Sequence, residues 1–249
     1  MKRTKSVLIV LCGVILFSAC NVIPGLGGQS ADAPALQELK PEPTQSTLSE
    51  SVHKRFDFKD DINKDWGLII VSGLEEQLLW TQNNNKLRLQ ILPPNDTNFV
   101  FLNKNTNYED VVVQAEVENF AQLDVAFSLI CRASEQGWYE FRISPQGYYE
   151  ILRYDAYKQK EGRLAYTNFV DRRIGSSYIK GGLETNVFAL SCNGDQIKGY
   201  INGEELYKDK RPLTIEDTTY TSGSFGFSVL GYGKEVDMTF NWIETLKPE

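Results

Sequence analysis

From Tyr108 onward, apolar and polar residues alternate in one short run after another. The stretches "VVVQAEVEN" (111–119), "VAFSLICR" (125–132), "WYEFRIS" (138–144) and "YYEILRY" (148–154) do so. So do "VFALSC" (187–192), "IKGYI" (197–201), "SFGFSVL" (224–230) and "VDMTFNW" (236–242). A period of two is the mark of a half-buried strand. Gly, Asn, Pro and Asp fall between the runs, at the spacing of a β-sandwich or barrel. Asn193-Gly194 and Asn202-Gly203 each sit at a strand end, where Asn-Gly supplies the positive φ angles of a tight hairpin. "LEEQLLW" (74–80) reads as strand or turn, and no long helical period competes.

Alternation also assigns faces. Phe127, Leu129 and Cys131 share one face, matched by Tyr139, Phe141 and Ile143, then by Tyr149 and Ile151. Phe188, Leu190 and Cys192 make a comparable stripe, and Phe225, Phe227 and Val229 another. These residues are the predicted core. The opposite face collects Arg132, Trp138, Glu140, Arg142, Tyr148 and Glu150, with Tyr154, Tyr157 and Tyr166 as a rim. On a concave sheet they would line a groove with an aromatic platform, two guanidinium forks and two carboxylates. Such surfaces receive sugar rings and their hydroxyls. The same residues also suit cross-strand ion pairing under a shielding Trp.

The first 54 residues follow different rules. Lys2, Arg3 and Lys5 precede an apolar run from Val7 to Ala19, a signal-peptide length that falls short of a bilayer span. Phe17-Ser18-Ala19-Cys20 resembles a bacterial lipobox, although Phe17 departs from the usual leucine. The resemblance implies cleavage before Cys20 and a lipid on its sulfur; the other reading is an ordinary signal cut after Ala19. Residues 20–54 are rich in Pro, Gly, Ser, Gln and acids, as in a flexible tether. The expected organisation is therefore signal peptide (1–19), lipidated Cys20 and linker (20–54), and an all-β domain (55–249).

Charge and cysteine count narrow the function. Loss of Lys2, Arg3 and Lys5 with the signal leaves 23 basic against 33 acidic residues, taking the net charge from −7 to −10. An acidic surface argues against nucleic acid as a partner. Of four cysteines, Cys12 leaves with the signal and Cys20 takes the lipid. Cys131 and Cys192 remain, either as a disulfide in a compartment outside the cytosol or as two buried thiols. The single histidine, His53, lies in the linker, so His-based triads and metal sites are excluded from the domain. Glu116 and Glu118 share a strand face and read as a solvated surface. No metal or cofactor is required; the one segment suited to a structural calcium ion carries Asp57, Asp60 and Asp61.

The stretches "FSLICRASEQGWYEFRISPQGYYEI", "NVFALSCNGDQIKGYINGEEL", "SGSFGFSV" and "VDMTFNWIETLKP" resemble the laminin-G/concanavalin A-like jelly-roll domains of bacterial lipoproteins. The likeness is to the 3-keto-disaccharide hydrolase-like group, and Cys131-Arg132 and Cys192-Asn193-Gly194-Asp195 match its recurring cysteine positions. It covers about residues 56–247 and implies a two-sheet antiparallel sandwich. It leaves activity open, because this scaffold carries lectins, adhesion modules and hydrolases. The E-x-D-x-x-E spacing of family 16 glycoside hydrolases is absent. The expectation is thus a lipid-anchored module in the cell envelope that recognises carbohydrate or another cell-surface ligand. The alternatives are a glycoside hydrolase using groove carboxylates and an envelope lipoprotein with a protein partner.

Overall fold

The computed structural model describes residues 52–94, 96–118, 125–170, 174–181 and 184–249. The signal run, the lipobox and Cys20 lie outside the described residues. The described residues belong to one compact unit. The folded domain starts slightly earlier than position 55: Lys54–Phe56 is already a strand, and Thr245 Oγ1 donates to Val52 O.

Two antiparallel sheets face each other. The first runs, edge to edge, through Glu204–Glu205, Gln196–Ile201, Asn186–Asn193, Val111–Glu118, Val236–Leu246, Lys86–Ile91 and Leu78–Asn83. Lys54–Phe56 adds to Val236–Leu246, and Thr214–Glu216 adds to Gln196–Ile201. The second runs through Tyr166–Asn168, Tyr148–Asp155, Gly137–Ile143, Val125–Ser134, Ser224–Tyr232, Asp96–Asn103 and Trp66–Ser72, with Ile174–Gly175 added to Tyr148–Asp155. "LEEQLLW" resolves into a short 3-10 turn, Glu75–Gln77, that feeds the strand Leu78–Asn83.

The predicted stripes meet between the sheets, and all of their members are buried. Phe227 sits at the centre, its ring centroid 4.9 Å from Phe101, 5.1 Å from Trp66 and 4.8 Å from Phe240. Phe127 bridges to the other sheet through Phe188 at 4.9 Å. Each such side chain taken from water contributes roughly 1.5–3 kcal/mol before the entropy of ordering. Cys131 and Cys192 form a disulfide between one strand of each sheet.

The two Asn-Gly joints differ in detail. At Asn202-Gly203 both residues take positive φ, 52° and 85°, as a type I′ turn requires. At the other joint Asn193 pairs with Gln196, so the turn is Gly194-Asp195 and only Gly194 (57°) is left-handed. One glycine is fixed by packing instead: a Cβ on Gly199 would lie 2.8 Å from Leu206 and 3.1 Å from Phe141.

Candidate functional site

The outer face of the second sheet holds the predicted groove residues, and its shape follows from one hydrogen bond. Tyr166 lies on the edge strand, five strand positions from Asp96–Asn103. In a flat sheet that separation would be about 24 Å. Nevertheless Asn98 Nδ2 donates to the Tyr166 hydroxyl over 2.9 Å. The sheet therefore curls around this face, which is concave. Gln159 Nε2, on the short helix Ala156–Lys160, also reaches across to Val71 O on the far edge strand, at 3.5 Å.

One half of the concavity is consequently roofed. Trp138 stacks on its cross-strand neighbour Tyr154 at 4.0 Å. Together with Val100, Ile130, Ala133 and Ala165 they form a second, smaller buried cluster, against which Tyr166 and Ala156 pack. The aromatic platform is thus covered by the chain itself.

Glu140 lies at the inner edge of this cover and is 0% exposed. Ser128 Oγ donates to its Oε1 at 2.6 Å, and Arg142 donates to the same oxygen through Nη2 at 2.7 Å and Nε at 3.1 Å. Trp138 Nε1 donates to Oε2 at 3.2 Å. A buried carboxylate is tolerated only when paired and hydrogen-bonded in this way. The arrangement orients Arg142 and does not present an acid to a substrate. Burial opposes the charge on Arg142, but the Glu140 carboxylate and the neighbouring Tyr166 and Tyr232 outweigh it and raise the guanidinium pKa. Burial likewise pushes up the Tyr166 phenol, with Glu140 adding to the shift. The Arg142 guanidinium also lies 4.6 Å from the Tyr166 ring centroid, a cation–π contact.

Beyond Arg142 the concavity opens into a depression of about 160 Å3 lined by Arg142, Ser144, Gln146, Tyr148, Glu150 and Tyr232. Tyr148 is 44% exposed. Glu150 accepts from Asn168 Nδ2 at 2.9 Å, and its strand neighbour across the pair is Arg142. Of the six residues picked by alternation, Arg142, Tyr148 and Glu150 meet at this mouth, and Trp138 and Glu140 support it from beneath the roof.

Arg132 does not belong to this face. Pairing shifts between Cys131 and Ser134, and Arg132 occupies the bulge with φ 52°. Its side chain turns to the end of the sandwich and is 1% exposed. There it donates to Glu109 O (2.7 Å), Gly194 O (2.8 Å), Tyr220 O (3.2 Å) and Asp110 Oδ1 (3.3 Å). Alternation counted through an unseen bulge put it on the wrong surface. Tyr157 also stands apart, exposed beside Lys160.

The other acids are engaged separately. Asp57 pairs with Lys59, Asp60 with Lys64, and Asp61 caps a short helix through Asn63 N. Among the described residues no three His, Cys, Asp or Glu side chains gather as a metal site. Glu116 and Glu118 lie on the first sheet, bonded by Asn241 and Lys86. Reasoning from sequence missed Ser128 and Asn98, the polar anchors of the concave face. Ser128 was legible by parity with Phe127 and Leu129; Asn98 lies in a strand without clear alternation.

No protein-family model matches the chain, and no curated protein matches it in sequence. Solved structures do. The chain is similar to the β-glucanase of Bacillus licheniformis, with 10% identity over 81% of this chain and 100% of that one, TM-score 0.53. A family 16 glycoside hydrolase from the Bacteroides ovatus mixed-linkage glucan locus aligns with 10% identity over 78% and 99%, TM-score 0.54. LamAcat of Zobellia galactanivorans aligns with 7% identity over 80% and 98%, TM-score 0.54. Likeness at this identity concerns architecture, and with the two antiparallel sheets described above it makes the domain a concanavalin A-like jelly-roll sandwich.

Proposed function

We propose that this chain is a lipid-anchored, extracytoplasmic module that binds carbohydrate at the open mouth of its concave sheet. The observation that carries the reading is the juxtaposition of Arg142, Gln146, Tyr148, Glu150 and Tyr232 around one depression. An exposed tyrosine face beside a fixed guanidinium and a carboxylate offers stacking and directed hydrogen bonds at once. The glucanases that share the fold make a sugar ligand a reasonable first probe. Glu140, whose oxygens are both occupied by neighbours in the buried part of the face, supports a binding reading over hydrolysis by that acid. The lipobox at Cys20 and the linker composition supply the anchor and its tether.

The test is calorimetry on the chain from residue 20 with Cys20→Ser, titrated with neutral and acidic oligosaccharides. Tyr148→Ala is expected to weaken binding about tenfold, a typical loss for an aromatic contact, with no change in melting temperature. Silence toward every glycan at millimolar concentration, or turnover of one of them, would overturn the reading.

A further inference from the structure

The two outer faces of the sandwich differ in how their polar groups are used. On the concave face Ser128, Glu140, Arg142, Glu150 and Asn98 are all bonded within the protein. The outer face of the first sheet carries a larger trough, about 430 Å3. Register explains its shape. Ala189 stands between Gln114 and Tyr200 in one cross-strand row, and Ser191 between Val112 and Lys198 in the next. Small residues on the central strand thus form a floor, and longer side chains on both neighbouring strands form walls. Leu246 and Pro248 close one side.

Gln114, Ser191 and Tyr200 line this trough without a side-chain hydrogen bond to any described residue. Lys198 is already neutralised by Glu205 at 3.3 Å. Lys247 and Glu249 at one side carry opposite side-chain charges, so the trough offers an amide, a hydroxyl and a phenol around a floor of small residues, with little net side-chain charge. It lies in mid-sheet, where backbone groups are spent in the ladders, so it offers no edge for an added peptide strand. None of the large exposed hydrophobic side chains lies in it, unlike a protein-docking patch. From Val187 to Asn193 it runs about 20 Å along the strand, long enough for several pyranose rings.

We propose that this trough is a second ligand site, on the sheet opposite the mouth, for a neutral polyhydroxylated chain such as an oligosaccharide. Gln114, Ser191 and Tyr200 supply the hydrogen bonds, and the ring of Tyr200 and the floor of small residues take the apolar sugar faces. The inference is independent of the Tyr148 mouth, because no residue is shared between them.

The experiment follows backbone amide shifts of the Cys20→Ser chain titrated with cellohexaose and laminarihexaose, with and without Tyr148→Ala. Shifts at residues 112–114, 187–203 and 246–249 that persist with Tyr148→Ala are the expected result. Ser191→Leu, which fills the trough, and Tyr200→Ala, a partly exposed position that leaves the core intact, should each weaken that binding about tenfold. Binding that disappears with Tyr148→Ala overturns the second site and leaves the mouth standing. Hexaoses that shift no amide lining the trough overturn the second site and leave the mouth to its own titration. Binding insensitive to Ser191→Leu and Tyr200→Ala overturns the assignment of these residues.

Discussion

Arg132 holds together three segments far apart in the chain. Its guanidinium serves carbonyls of Glu109, Gly194 and Tyr220 and the carboxylate of Asp110, which in turn accepts from Gly194 N at 2.8 Å. The left-handed backbone at Arg132 directs the side chain there. Arg132→Ala would strand the buried Tyr220 carbonyl and remove one of the two ties to the Gly194-Asp195 hairpin, leaving the bond from Gly194 N to Asp110. With Asp110 half exposed, the cost is chiefly that of stranding a buried acceptor and losing the packed side chain, about 1–3 kcal/mol. Urea unfolding of the Ala variant should show that loss. Arg132→Lys should recover only part of it, because a single ammonium cannot reach acceptors spread around a planar fork. A loss below about 1 kcal/mol would mean that water replaces the guanidinium at little cost.

The strand Gly137–Ile143 shows what each face of an element does. Its outward side carries Trp138, Glu140 and Arg142; its inward side carries Tyr139, whose hydroxyl donates to Asp217 and accepts from Tyr220 N at 3.0 Å. Burial, aided by the Asp217 hydrogen bond, pushes the Tyr139 phenol up to about 12. An unfolded tyrosine loses its proton near 10. The unfolded chain therefore binds fewer protons first as pH rises, so stability from this group is complete below about pH 10 and falls between about 10 and 12. Burial shifts Tyr149, Tyr154 and Tyr220 the same way. Asp217 has the opposite sign. Burial would raise its pKa, but hydrogen bonds from Tyr139 and Thr219 and the charge of Arg153 hold it below the ordinary 3.8. Its contribution is present above that value and fades as pH falls through the folded one. Unfolding free energies measured across pH should decline at both ends, with Tyr139→Phe flattening the alkaline limb and Asp217→Asn the acid one. Strands such as this one were legible because both of their faces obey one period. Trp66–Ser72 and Leu78–Asn83 were not, since each is the last strand of its sheet and leaves Ile69, Ile70 and Leu79 exposed. Parity likewise found Trp138, Glu140 and Arg142 but could not reveal the roof. That roof depends on Tyr166 meeting Asn98, a contact between residues 68 apart.

At the scale of the whole molecule, the sandwich is two sheets held by an apolar interior and one covalent link. The Cys131–Cys192 disulfide closes a loop of 61 residues between them. Constraining a loop of that length in the unfolded chain stabilises the fold by about 4 kcal/mol in the chain-entropy account. Both half-cystines are fully buried, so the double variant Cys131→Ala with Cys192→Ala also loses some packing. A domain of this size loses about 2–4 °C in melting temperature for each kcal/mol. Calorimetric scans should accordingly place the variant roughly 8–16 °C below the parent. Function need not follow. Cys131 pairs opposite Tyr139, whereas Phe127 pairs opposite Ile143 beside the mouth, four residues or about 13 Å further along the strand. Well below its lowered transition, the variant should therefore bind oligosaccharide at the Tyr148 mouth with unchanged affinity. A parent-like melting temperature would mean that the link adds little to the interior contacts. Weakened binding in a variant still fully folded would mean instead that the two sheets must be tied for the concave face to keep its curvature.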